Sequence, residues 1–280
     1  MIRLSRRSDE AALQDLFHVA FGDPPEATRA FFSQLYRPGN AIVWVEGDAI
    51  ASAMYLLDAG TVAPLRVSYS YALATLPEFR GRGLGATVTQ SVISRSLELG
   101  FDCNLICPAT EALFAYYTRL GYSHAFSIAE GEITCVDSSD FFIMNDITST
   151  DFSTYLQLRA PHLPPSAVAY PEPFLRYVEA CCTASGGGLY QLESQGQTGC
   201  AAVERRGDRL FIQEVLPASL AEPFSRALTA HLGAQSARFR TSPDPAAASP
   251  ALRSRPFVLA APAEDLPPTA LDAYFPFVLD

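Results

Sequence analysis

Apolar residues recur along this chain with two periods, one helical and one extended. Ala12, Leu13, Leu16, Phe17 and Ala20 share a helical stripe behind a Ser8-Asp9-Glu10 start, and Gly22-Asp23-Pro24-Pro25 breaks it. A second helix is predicted from about Glu26 to Tyr36, ending at Arg37-Pro38-Gly39. The runs Ala41–Glu46 and Ala49–Leu57 flank Gly47-Asp48 and read as a hairpin, with Val67–Thr75 as a third strand. After a glycine-rich stretch, Leu84, Val88, Val92 and Ile93 mark a helix that Gly100 stops. Phe101–Cys107 reads as a strand and Thr110–Leu120 as a helix closed by Gly121-Tyr122, and the set completes by about residue 145.

The second half replays part of that order. Helices are predicted over Asp151–Leu163 and Pro173–Ala184, then strands over Leu189–Glu193, Gly199–Arg205 and Arg209–Val215. A helix over Leu220–Leu232 and a strand over Ala237–Thr241 follow. Glu214-Val215-Leu216-Pro217 stands where Ala74-Thr75-Leu76-Pro77 stood, but no glycine-rich segment comes after it. The pattern is that of a degenerate repeat without a ligand loop, so two domains are expected, 1–145 and 146–280. Residues 242–268 are rich in proline and alanine and read as extended; Ala273–Asp280 is aromatic and apolar.

Composition narrows the chemistry. With 49% apolar and 18% charged residues, the chain has the makings of a folded core. All 20 basic residues are arginines, so the chain has no lysine for a pyridoxal Schiff base or a Walker-type phosphate loop. Thirty acidic residues leave a net charge of −10, which disfavours nucleic acid and anionic lipid as partners and suits an amine-bearing substrate. The six cysteines (103, 107, 135, 181, 182, 200) form no CxxC pair, and the four histidines form no ligand cluster, so no metal is expected. Cys103 and Cys107 read as core positions of a strand. The start of the chain lacks a signal-like apolar stretch and no run approaches a membrane span, so a cytoplasmic location is expected; self-association stays open.

The candidate chemistry lies in Arg80-Gly81-Arg82-Gly83-Leu84-Gly85, three alternating glycines between a strand and a helix start. The first helical turn carries unpaired N–H groups and the positive end of the macrodipole. Glycines let main chain approach an anion closely, and Arg80 and Arg82 add bidentate donors for phosphate. Gly81-x-Gly83-x-x-Ala86 also fits a dinucleotide fingerprint, which would imply a nicotinamide cofactor. Against that, Pro77-Glu78-Phe79-Arg80 intervenes, the preceding strands form a hairpin, and no acidic residue ends the next strand.

The stretch Leu73 to Gly85 resembles the acetyl-CoA motif of the GCN5-related N-acetyltransferase (GNAT) superfamily, a strand followed by V-x-P-x-x-[QR]-G-x-G-x-[GA] and a helix. Leu113 to Tyr122 resembles the second family motif, F-Y-x-x-x-G-[FY]. The resemblance covers roughly 1–145, and the replay is similar to the tandem arrangement of Eis-type acetyltransferases without their third domain. It implies an α/β (α+β) fold with a mixed, largely antiparallel sheet flanked by helices. It also implies transfer of the acetyl group of acetyl-CoA directly to a small-molecule or peptide amine, without a covalent enzyme intermediate. By the same resemblance, Leu73, Ala74 and Thr75 pair with the pantetheine arm. Residues Arg80, Gly81, Arg82, Gly83, Leu84, Gly85 and Ala86 cradle the pyrophosphate, and Tyr117 protonates the departing thiolate. Thr110 stands where many members carry a cofactor-contacting asparagine.

No glutamate occupies the usual general-base position on the third strand; a water relay, Glu111 or the C-terminal carboxylate of Asp280 are the alternatives. By similarity to Eis-type enzymes, the aromatic tail is expected to fold back and close the acceptor cleft. Phe21-Gly22-Asp23 and Phe31-Phe32 sit in the helical region that lines acceptor sites in the family, the aromatics reading as core packing. A non-catalytic acyl-CoA-binding sensor or scaffold is the rival reading.

Overall fold

The structure is a computed structural model of the 280-residue chain; described are all residues except 24, 63, 135–145, 195, 244–248, 250, 263–272 and 279–280, with backbone only for 124 and 125. Strand β1 (Ile2–Leu4) pairs with Ile42–Trp44, an element too short to give a period in the sequence. Helix α1 (Glu10–Phe21) buries Leu13, Leu16 and Phe17 and ends at Gly22, whose φ of 67° makes the left-handed cap that glycine favours. Helix α2 (Pro25–Gln34) turns Phe31 and Phe32 inward. The hairpin of β2 (Ala41–Glu46) and β3 (Ala49–Val62) leads into β4 (Leu65–Thr75), α3 (Leu84–Glu98), β5 (Cys103–Ile106) and α4 (Glu111–Thr118). Strand β3 runs five residues past the predicted end at Leu57. Gly60 permits this: a Cβ there would lie 1.9 Å from the Ala169 carbonyl oxygen, so only glycine admits the loop carrying Ala169.

The first half ends with β6 (His124–Thr134), and the second contributes β7 (Asp146–Ser149), α5 (Phe152–Arg159), α6 (Glu172–Ala184), β8 (Gly188–Ser194), β9 (Gln197–Arg206), β10 (Arg209–Leu216), α7 (Ala221–His231), β11 (Ser236–Thr241) and β12 (Leu252–Pro262). The replay is visible in the pairing. Antiparallel β3–β4, a short 3-10 turn at Pro77, α3 and parallel β5 recur as antiparallel β9–β10, a turn after Pro217, α7 and parallel β11.

Among the described residues the twelve strands form one mixed, mostly antiparallel sheet in the order β1-β2-β3-β4-β5-β12-β6-β11-β10-β9-β8-β7. The two halves exchange strands at its centre. Strand β6 leaves the first half to pair with β11, and β12 returns from the second half to pair with β5. The sequence pattern predicted only extended chain for 242–268, because alternation reports burial and not which edge a strand joins.

One apolar cluster lies under both halves on one sheet face, taking Leu13 and Phe17 from α1, Phe31 from α2, Phe174 and Tyr177 from α6, and Phe275 and Phe277 from the C-terminal tail. On the opposite face, α3 and α4 pack over the first half and α7 over the second.

At the exchange, Glu130 on β6 accepts from Arg238 Nε (2.7 Å) on β11 and Arg255 Nε (2.7 Å) on β12. Burial pushes its carboxyl up, but the hydrogen bonds from Arg255 and Arg238 outweigh this and hold it at about 2, below the usual 4.5. A depressed carboxyl stabilises the fold above the unfolded value, and the contribution disappears as pH falls from about 4.5 towards 2. Substituting Glu130→Gln is therefore expected to cost on the order of 2 kcal/mol at neutral pH, partial exposure of the arginines considered. It should also flatten stability against pH over that window in denaturant titrations; an unchanged acid slope would contradict the assignment.

Candidate active site

Strands β4 and β5 pair in parallel only over Val67–Tyr69 and Cys103–Leu105. Beyond that point they part, and a bulge re-aims β4: Ala53 faces Ala74 and Tyr55 faces Tyr71, so Ala72 and Leu73 together stand opposite Met54. Ala72 has φ 54°, the one left-handed non-glycine residue among those described. Ser70, Asn104 and Tyr122 hydrogen-bond one another in a buried network at the base of the split, which ties the Gly121-Tyr122 motif to both strands.

The split opens onto a groove of about 490 Å³ whose walls include Leu73, Ala74, Thr75, Arg80, Gly81, Gly83, Leu84, Gly85 and Ala86. Of the expected cofactor-binding residues, Arg82 and Thr110 are the two that do not line it. Arg82 donates to Glu46 at 2.8 Å and lies over the Phe79 ring, while Thr110 is exposed ahead of α4. Gly81 and Gly83 both have φ 76°, and a Cβ at either would meet nothing within 4 Å. These two glycines are required by conformation, not crowding, and they leave the loop main chain bare towards the groove. Gly85 differs. A Cβ there would stand 3.4 Å from the Tyr116 hydroxyl and 3.6 Å from Leu73 Cδ2, filling the channel between them. Such a bare loop at the start of α3, with Arg80 held by its Nε on the Thr75 carbonyl (3.0 Å), fits a pyrophosphate; the open edge of bulged β4 fits an amide-bearing arm.

The two adjacent tyrosines of α4 take different places. Tyr116 lines the groove. Tyr117 is 6% exposed, packed near Val88, Val92 and Tyr122, and burial raises its phenol, with Tyr116 and Cys107 adding to the effect. Its neighbour Cys107 follows the last residue of β5, on the side where β4 and β5 have separated.

A second pocket of about 550 Å³ adjoins the groove across β4 and the α1–α2 turn: Leu73 and Phe21 line the one, Tyr71 and Asp23 the other. Tyr177 and Cys181 from α6, Glu204 and Arg206 from β9, and Val278 from the tail complete it. Burial raises the Asp23 carboxyl, offset in part by Arg206. The tail reaches this wall because the loop before α6 clasps it. Val168 N donates to the Tyr274 carbonyl (3.0 Å), Tyr274 N to the Ser166 carbonyl (3.1 Å), and Phe277 N to the Tyr170 hydroxyl (3.2 Å). Asp280 lies outside the described residues. Glu111 is exposed in the first turn of α4. The contribution of α6 and β9 to this pocket could not be read from the sequence, since their residues lie more than 100 positions from Asp23 and Tyr71.

The second half builds the same bulge and split but closes it. Thr241 Oγ1 on β11 donates to the Val215 carbonyl at 2.7 Å, and Arg240 Nη1 to the Gln213 side chain at 3.3 Å, so side chains bridge β10 and β11 beyond their backbone pairing. Among the described residues no group of three or more His, Cys, Asp or Glu side chains could hold a metal ion, and no helix is long and apolar enough to cross a membrane.

Comparison with known proteins agrees with this geometry. The family of acetyltransferase (GNAT) domains matches residues 1–125. No curated protein sequence matches the chain. Among solved structures, a GCN5-related N-acetyltransferase from Anabaena variabilis is 15% identical, with a TM-score of 0.62 over 93% of this chain and 72% of that one. Eis1 from Mycobacterium abscessus is 15% identical, with a TM-score of 0.61 over 94% of this chain and 73% of that one. A GCN5-related N-acetyltransferase from Kribbella flavida is 17% identical, with a TM-score of 0.59 over 93% and 70%. At these identities the likeness is one of fold, and it extends through both halves. Residues 1–125 thus match the acetyltransferase (GNAT) domain family, and the chain as a whole shares the fold of these structures.

Proposed function

We propose that the chain transfers the acetyl group of acetyl-CoA directly to an amine held in the pocket between its halves, in a ternary complex. The observation that carries this reading is the meeting of an anion-ready groove with a second pocket across a single residue, Ala72, of the bulged strand. Residues 81–86 and Arg80 would hold the pyrophosphate, and the main chain of Leu73 and Thr75 the pantetheine arm. Bound acetyl-CoA supplies an activated thioester. The Leu73 N–H, in the bulge of β4, would donate to the developing oxyanion. Residues 1–145 form the catalytic unit and 146–280 a degenerate copy that walls the acceptor pocket.

Tyr117 is the proposed proton donor. Burial keeps its phenol neutral across the working pH range, so it acts by donating to the thiolate as negative charge develops there. Asp23 receives the acceptor's ammonium, and the carboxylate of Asp280, two residues beyond Val278, is proposed as the base.

Tyr117→Phe is expected to lower kcat about 100-fold while the Kd for CoA moves by less than about twofold. Tyr116→Phe, which alters the groove wall, is expected to weaken CoA a few-fold and spare kcat. Single-turnover CoA release and titration calorimetry measure both; equal kcat for the Tyr117→Phe and parent chains would remove Tyr117 from the mechanism. Binding of CoA with no acceptor turned over in a broad amine panel would favour a sensor.

A further inference from the structure

We propose that the acceptor is the amine of an acidic peptide, and that an arginine face continuing from the pocket binds the peptide's carboxylates; this rests on the acyl-transfer reading above. The pocket wall is the first link of a hydrogen-bonded line. Glu204 accepts from Arg206 Nη2 (3.1 Å) and Gln213 Nε2 (2.6 Å), and Gln213 in turn accepts from Arg240 (3.3 Å). Arg240 shares Glu130 with Arg238 and Arg255. Register places these side chains on one sheet face, because Glu204 faces Phe211, Phe211 faces Arg238, and Arg240 faces Glu130.

The line carries four arginines and two glutamates, a local charge of +2 on a chain of net −10. Its guanidinium groups are held in place before any ligand arrives. Arg240 lies 4.4 Å from the centres of both Phe211 and Phe257, Arg206 is 5.1 Å from Phe211, and Arg255 is 5.0 Å from Phe257. Stacked, fork-shaped donors of this kind lose little freedom on meeting a carboxylate. Arg206, Arg238 and Arg255 keep 58%, 34% and 35% of their side-chain surface exposed, so the face is reachable.

The extent of the face selects a peptide over a small anion. From β9 across β10, β11 and β6 to β12 are four strand spacings, about 19 Å, the length of roughly six extended residues. Polarity sets the direction. Asp23, two residues from the groove-lining Phe21, suits an ammonium beside the groove, while Glu204 is taken by Arg206 and positive charge continues outward from there, where residues beyond the amine would run.

The test uses the full chain and hexapeptides with a free N-terminal amine, a C-terminal fluorophore, and either glutamate or glutamine at the last four positions. By fluorescence anisotropy in about 0.05 M salt the glutamate peptide is expected to bind about tenfold tighter, the advantage vanishing near 0.5 M. Arg238→Gln and Arg255→Gln, made separately so that Glu130 keeps two arginine partners, should each narrow the ratio to about three. CoA release should show the same ratio in KM. Equal affinity for the two peptides, or a preference that neither substitution narrows, overturns the proposal. If the glutamate preference holds while no amine is acetylated, the peptide-binding face stands and the acyl-transfer reading fails. If neutral amines are acetylated and acidic peptides gain nothing, the reverse follows.

Discussion

Gly83→Glu is expected to weaken acetyl-CoA by more than about 100-fold while the chain still folds. The two effects separate because of where Gly83 sits. Its φ of 76° means any side chain forces a left-handed non-glycine residue, a cost of about 1–2 kcal/mol. A Cβ there meets nothing within 4 Å, so no packing is disturbed and the melting point should fall by only a few degrees. The new carboxylate, however, stands at the N-terminal end of α3, where it attracts the same N–H groups that a pyrophosphate needs. At about 5 Å and an effective dielectric of about 20, each phosphate charge would be repelled by roughly 3 kcal/mol. Gly83→Ala, carrying the strain without the charge, should lose stability to a similar degree and affinity much less. Calorimetric titration beside thermal melting checks both. Normal CoA affinity in the Gly83→Glu chain would show that the loop does not hold the pyrophosphate.

Glu214→Ala is expected to destabilise the chain by about 3–5 kcal/mol, because it strands a buried cation. Glu214 is fully buried and accepts from Arg159 Nε (2.6 Å), Arg159 Nη2 (3.1 Å) and the Tyr155 hydroxyl (2.8 Å), and Arg159 is itself 5% exposed. Removing the carboxylate leaves the guanidinium without its counter-charge, whereas replacing both partners by apolar residues removes the burden from each. The double variant Arg159→Met with Glu214→Leu should therefore recover most of the loss, and a double-mutant cycle in denaturant isolates the coupling. The pair also bears on the site: the Arg159 guanidinium lies 5.2 Å from the Phe277 ring centre, in the tail that carries Val278 to the second pocket, the proposed acceptor site. Loss of the pair is expected to raise the acceptor KM before it affects CoA. A Glu214→Ala chain as stable as the parent would contradict the burial argument.

Most elements of the first half were legible because each carries its own period and its own stop, as α1 does with Leu13, Leu16, Phe17 and Gly22. The glycine loop was legible for the same local reason. Three things were not. Strand β1 is three residues long, and β6 is interrupted by Gly131, where a Cβ would lie 2.4 Å from the Phe239 ring. The exchange of β6 and β12 depends on pairing between residues more than 100 apart, which no local period encodes. The division of labour between Tyr116 and Tyr117 depends on the rotation of α4 against the sheet, and a short helix with aromatic residues on several sides leaves that rotation unspecified. The second pocket was half visible: Asp23 stands beside its helix break, while Glu204 and Arg206 carry no local signal that would bring them to it.

The most direct test of the central claim is release of free CoA from acetyl-CoA by the purified chain, followed across a panel of primary amines and peptides, with Gly83→Glu and Tyr117→Phe alongside. The parent chain is expected to yield acetylated product in stoichiometric balance with released CoA, Gly83→Glu to lose turnover through binding, and Tyr117→Phe to turn over about 100-fold slower with binding intact. Tight CoA binding with no acetylated product from any amine would contradict the claim.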